Sequence, residues 1–187
     1  MSSESLVDLM EKYKNHYYQK EVKNTFFKKS QKMDCARKMS EQFNLKDMIA
    51  NTVYNIPNTN KILFNYNIFK LYANENNYQN VVDSVLALYD EVLKNYEKYE
   101  VHVILESFTI SAAERYKDVI KLFCNTCMNS TTNNYSQKLN KMYIYYTPSM
   151  IDSISTLLKP FVDPIVFNCM VYYSKTESPQ LLQQLLS

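Results

Sequence analysis

YIYYTPSMIDSISTLLKPFVDP, running from Tyr143 to Pro164, carries the stretch of sequence on which the fold turns. Its first four residues are aromatic or β-branched, the composition of a strand buried in a sheet. Thr147-Pro148 interrupts that run, because proline lacks a backbone donor and pushes the residue before it away from helix. Met150, Ile151, Ile154, Leu157, Leu158 and Phe161 then form one apolar stripe of a helix. Asp152, Ser153, Ser155 and Thr156 fall on its polar side. Lys159-Pro160 and Asp163-Pro164 stop that helix, and the Lys159 charge suits the negative end of its dipole. The expected unit is strand, proline turn, amphipathic helix and a rigid stop that redirects the chain into another strand.

The same alternation extends in both directions. Upstream, KILFNYNIFKLYA (61–73) alternates apolar and polar residues as a strand does. Val82, Val85, Leu86, Tyr89, Val92 and Leu93 then share one face of a helix over 81–96. YEVHVILESFTI (99–110) is dense in β-branched residues and reads as a covered strand. Ser111, with Glu114 three residues on, has the spacing to cap a helix through AAERYKDVIKLFCNTCM. A polar loop follows, then the strand LNKMYIYY (139–146). Downstream, IVFNCMVYYS (165–174) reads as a fourth strand and SPQLLQQLLS (178–187) as a closing helix.

Four strand–helix units from residue 60 imply an α/β fold, a mainly parallel sheet with helices packed on it. Residues 4 to about 50 are helical in period, with Leu6, Leu9, Met10, Tyr13 and Tyr17 on one stripe and Met33, Ala36, Met39 and Phe43 on another. The expected organisation is a helical N-terminal extension over 1–55 and an α/β domain over 56–187. Lys20, Lys23, Lys28, Lys29 and Lys32 read as a solvated helix face, since acidic residues are interspersed.

Composition removes several function classes. The 187 residues are 46% apolar and 21% charged with a net charge of +2, too little for a nucleic-acid partner. No apolar run reaches the roughly 18 residues of a membrane span, and MSSESLVDLMEKYK lacks the basic start of a signal peptide. A cytoplasmic location is expected, with the four cysteines as free thiols. The chain has no glycine, so phosphate loops, dinucleotide fingerprints and the nucleophile elbow cannot be written in it. Its excess of Asn, Lys, Tyr and Ile is what AT-rich coding produces, as in a virus or an AT-rich protist.

Leu158-Lys-Pro-Phe-Val-Asp-Pro, after a strand, a proline turn and an amphipathic helix, resembles the CRAL-TRIO lipid-binding domain family, which includes retinaldehyde-binding and phosphatidylinositol-transfer proteins. In that resemblance Tyr135-Ser-Gln-Lys-Leu stands for the family's Tyr-Pro-Glu-Arg-like segment. Pro148 stands for the proline at the strand end, and Lys159, Pro160 and Phe161 for the Lys-Pro-Phe core. Tyr172 to Glu177 match the turn, and Leu181 to Leu186 the leucine-rich helix. The likeness spans about 60–186, and departs from the family in having no glycine in the second strand-to-helix connection.

The resemblance implies a non-enzymatic protein that holds a phospholipid or similar hydrophobic ligand under the helix of 149–161. Met150, Ile151, Ile154, Leu157, Leu158 and Phe161 would be its gate, and Lys175 the headgroup contact. Peripheral membrane contact fits this reading. The alternative is a degenerate scaffold of the same fold without a lipid pocket, acting as a protein-interaction module or homodimer. Its motive is the 17 tyrosines, a residue type enriched at interface hot spots.

Other candidates read as structural. Cys124 and Cys127 sit late in a helix, where a redox pair would need a helix N-terminus. With two histidines in the chain, no zinc set of about four ligands assembles. No cofactor or metal is expected. Strand alternation puts His102 on one face with Ile104 and Glu106, opposite Val101, Val103 and Leu105.

Overall fold

A computed structural model describes residues 4–21 and 28–187. Lys23 lies outside the described residues, whereas Lys20, Lys28, Lys29 and Lys32 are exposed, as a solvated face should be. Three helices come first: α1 (Leu6–Lys20), α2 (Lys28–Gln42) and α3 (Leu45–Thr52). Ser5 opens α1 with a reciprocal capping box to Asp8, and Asn44 caps α3 through the Lys46 and Asp47 amides.

The sheet has five strands in the order β1-β2-β3-β4-β5. They are β1 (Val53–Asn55), β2 (Lys61–Asn65), β3 (Tyr99–Ile104), β4 (Leu139–Tyr145) and β5 (Met170–Tyr172). β1 is antiparallel to β2, and the remaining pairs are parallel. The α/β class with a mainly parallel sheet is therefore the observed one. β1 was not anticipated: it belongs to the N-terminal 55 residues yet forms the sheet's edge. Its hairpin to β2 closes on Pro57 and Asn58, with the Thr59 amide donating to the Ile56 carbonyl at 3.2 Å. Asn58 has φ 59°, so the connection is a type II turn with asparagine where glycine is usual.

Between the strands lie α4 (Tyr66–Tyr72), α5 (Tyr78–Asn95), α6 (Ile110–Arg115), α7 (Lys117–Met128), α8 (Tyr135–Lys138), α9 (Ile151–Leu158) and α10 (Pro164–Cys169), with α11 (Ser178–Leu186) last. Three sequence expectations are corrected here. KILFNYNIFKLYA is a strand only to Asn65, whose side chain caps the Asn67 amide and starts α4. Tyr66, which alternates with Phe64 and Ile68, also stands three residues before Phe69, a helical spacing. Thr109, not Ser111, caps α6, accepting from the Ala112 amide.

The first half of IVFNCMVYYS is α10, because Asp163 caps the Ile165 amide and Pro164 sits at the first helical position. The strand is reduced to Met170–Tyr172. The proline-bracketed stop thus turns the chain out of α9 and into another helix. In α9 itself the Lys159 amide closes on Ser155 at 2.8 Å and Phe161 on Leu158 at 2.9 Å, and Pro160 has no donor to continue the ladder.

The N-terminal helices share the sheet's core. Met10, Met39 and Met48 are fully buried in one cluster with Ile62, Tyr66 and Phe69. Tyr72 of α4 donates to Thr52 of α3 at 2.9 Å. No helix among the described residues is long and apolar enough to cross a membrane.

Candidate functional site

The parallel strands present Ile62, Phe64, Val101, Val103, Met142 and Ile144 to one side, and α4, α5, α7, α9 and α10 stand over that side without filling it. A cavity of about 290 Å³ remains between them, at the lower end of the roughly 300–1,000 Å³ of small-molecule sites. Val103 and Met142 are only partly buried although they belong to central strands, since the void lies beside them.

The walls come from amphipathic helices. α5 contributes Val81, Val82, Val85 and Tyr89, α4 contributes Tyr66 and Phe69, and Tyr116, Val119, Ile120 and Phe123 follow from the α6–α7 junction. Apart from tyrosine hydroxyls, Ser155 is the single polar side chain in the lining. The phenols are silenced by burial, which raises the pKa of Tyr89, Tyr116 and Tyr66. Such a surface offers dispersion contact and little else.

The six stripe residues read from the sequence divide. Ile151, Ile154 and Leu158 line the cavity, and Ile154 is 3% exposed. Leu157 lies outside the lining. Met150 precedes the helix at 52% exposure. Phe161 lies outward, with the Lys117 and Lys121 ammonium groups 5.2 and 5.8 Å from its ring centre. Lys175 is exposed in the turn between β5 and α11 and does not reach the cavity. Most of the lining was missed, because α4, α5 and α7 bring it from positions that read in sequence as ordinary core.

The opposite face of the sheet has another character. His102 is buried there, stacked on Tyr143 at 4.7 Å, with Nδ1 2.9 Å from the Tyr145 hydroxyl. Tyr173 of the following turn stacks on Tyr143 at 6.0 Å. His102 lies opposite Val101, Val103 and Leu105, as expected, and alternation thereby separates it from the cavity those residues line. Burial, with a smaller contribution from Lys61, pushes its pKa down to about 4. The thiols of Cys124 and Cys127 are pushed up to about 11 and 12 by burial, which leaves them protonated and inert.

A family model described as the CRAL/TRIO domain matches residues 63–186. Among solved structures, the crystal structure of Sfh5 is similar, with a TM-score of 0.50 at 15% identity. That alignment covers 89% of this chain, which spans 64% of the length of the Sfh5 chain. No curated protein matches by sequence.

Proposed function

Because the chain belongs to the CRAL/TRIO domain family, we propose that it is a carrier that holds a hydrophobic ligand, without chemical change, in the cavity beneath α9. The observation that carries this reading is the cavity itself: about 290 Å³ with an almost wholly apolar lining. Ligand burial would stabilise the complex by about 0.8 kcal/mol per CH2 removed from water. The lining holds no nucleophile beside a base, since His102 faces away and Ser155 has no histidine among its fellow lining residues.

Ile151, Ile154 and Leu158 give α9 an apolar underside, and the prolines at 160 and 164 fix where it ends. The helix is thereby a discrete wall that a ligand would displace on entry. The cavity favours this reading over a pocketless scaffold that binds a protein. The size of the space suits a single chain or a compact ring system better than a two-chain phospholipid. We place the carrier in the cytoplasm, in keeping with its four free cysteines.

Native mass spectrometry of the purified chain, followed by organic extraction, tests the proposal. One retained hydrophobic molecule per chain is the expected result. A bare mass that stays bare after incubation with lipid vesicles and with single-chain amphiphiles would overturn it.

A further inference from the structure

One of the chain's two arginines has no anionic partner. Arg37 holds Glu75 at 2.7 Å. Arg115, at the end of α6, makes no ion pair among the described residues, and its Nε is buried with no hydrogen-bond partner there. The residues outside the described ones contain no Asp or Glu that could answer it. A buried guanidinium donor without an acceptor is costly, and such groups are normally paired.

The surroundings of Arg115 add donors and positive charge. Its guanidinium carbon lies 5.7 Å from the centre of the Tyr116 ring. Burial raises the Tyr66 pKa, and the guanidinium, which hydrogen-bonds the Tyr66 and Tyr116 phenols, acts against that rise; the two rings are 6.1 Å apart, edge to face. Lys32 of α2, an exposed residue of the N-terminal helices, is near enough to feel the Arg115 charge. Its pKa is lowered by burial and then by the Arg115 charge. Lys70 of α4 sits over Tyr66 at 5.6 Å, its ammonium donating to Asn67 and Ser107. Glu106 and Glu11 lie in the surroundings of Lys70, and neither is within ion-pair distance of Arg115.

Tyr66 and Tyr116 have a second role: both line the apolar cavity. The guanidinium, without an anionic partner, is thus one ring away from the space assigned to the ligand. We propose that Arg115, assisted by Lys32 and the Tyr66 and Tyr116 phenols, binds a carboxylate or phosphate oxyanion, the polar end of an amphiphile whose tail fills the cavity. This rests on the carrier reading above and gives the N-terminal helices a part in it, since Lys32 is theirs. It replaces Lys175, which is exposed and away from the lining, as the headgroup contact.

Arg fits the role because its planar donors match both oxyanions in a bidentate geometry. Tyrosine hydroxyls supply further donors without adding charge. The site is complete only when α2, α4 and α6 are docked together, since Tyr66 and Lys32 lie 49 and 83 positions before Arg115 in the chain.

The test compares dodecyl phosphate, dodecanoate, dodecanol and inorganic phosphate by titration calorimetry on the full chain, with Arg115→Met and Lys32→Met variants. Far-UV circular dichroism checks that each variant folds. The wild type should bind dodecyl phosphate or dodecanoate about tenfold or more tightly than dodecanol. Arg115→Met should lose that preference and keep dodecanol binding, and Lys32→Met, at an exposed site, should weaken the preference in the same direction. Equal affinity of the wild type for the charged and neutral amphiphiles would overturn the oxyanion site while leaving the carrier reading standing. Binding of inorganic phosphate alone, lost in Arg115→Met, would keep the oxyanion site and overturn its link to the cavity. No binding of any amphiphile, dodecanol included, would overturn the carrier reading itself.

Discussion

His102 Nδ1 and the Tyr145 hydroxyl lie 2.9 Å apart on adjacent parallel strands, on the side of the sheet turned away from the cavity. His102 Nε2 finds no hydrogen-bond partner among the described residues and is 3.8 Å from Glu100. Protonation in the folded state would place a charge between stacked rings, and the pKa falls to about 4 against an ordinary 6.5.

The direction of the pH effect follows from that depression. Between about pH 6.5 and pH 4 the unfolded chain binds a proton at His102 and the folded chain does not. Stability at this site is therefore full above pH 6.5 and is lost as pH falls towards 4, with a limiting slope of about 1.4 kcal/mol per pH unit. Urea unfolding at several pH values should show a shallower acid decline for His102→Gln than for the parent. Parallel declines would mean that His102 is not the titrating group.

Ser178 is fully buried at the start of α11, where its hydroxyl accepts the Tyr146 amide at 2.7 Å and donates to the Ser174 carbonyl at 2.6 Å. Tyr146 has φ 54°, a left-handed conformation uncommon for any residue but glycine. Replacing Ser178 by Ala leaves that amide without its acceptor. The expected cost is about 1–3 kcal/mol, read as a lower guanidinium midpoint at unchanged m-value. An unmoved midpoint would show that the bond adds no net stability.

At the β1–β2 turn, Asn58 occupies the position of positive φ after Pro57. Asn58→Gly should be close to neutral. Asn58→Val should cost about 1–2 kcal/mol, since a β-branched side chain collides with its own backbone there. Thermal melts of the pair give the comparison, and equal melting temperatures would refute the assigned turn.

Val103 offers a way to separate the cavity from the fold. In a close-packed core, Val→Phe costs about 1–3 kcal/mol by overpacking. Val103 borders empty space, so Val103→Phe should change stability by less than about 1 kcal/mol while sharply reducing the ligand retained on purification. A large loss of stability would show that the void is not where the lining places it.

The parts of this fold that were legible in sequence are those where one signal acts alone. The stripe of α5 and the proline stop after α9 depend on local spacing and on missing donors. Residues 61–73 were misread because Ile62, Phe64, Tyr66 and Ile68 alternate as a strand would while Tyr66 and Phe69 also fit a helix, and the Asn65 cap decides between the two. Three-residue strands such as β1 and β5 are too short to show alternation at all. The lining was partly visible, in Ile151, Ile154 and Leu158. The Arg115 cluster was not, because Lys32 and Tyr66 reach it only through tertiary packing, and no spacing along the chain encodes that.

Strand order along the sheet equals strand order along the chain, and this has a consequence for biogenesis. Synthesis lays down the floor from one edge to the other: by residue 145, β1 to β4 and the walls α4 to α7 have all been made. What is missing at that point is α9, α10, β5 and α11. A nascent chain halted there would hold an open trough of valines and aromatics facing water, a surface that invites aggregation or a chaperone. Closure comes with roughly the last forty residues, so truncations within them should leave a sticky intermediate and not a smaller carrier.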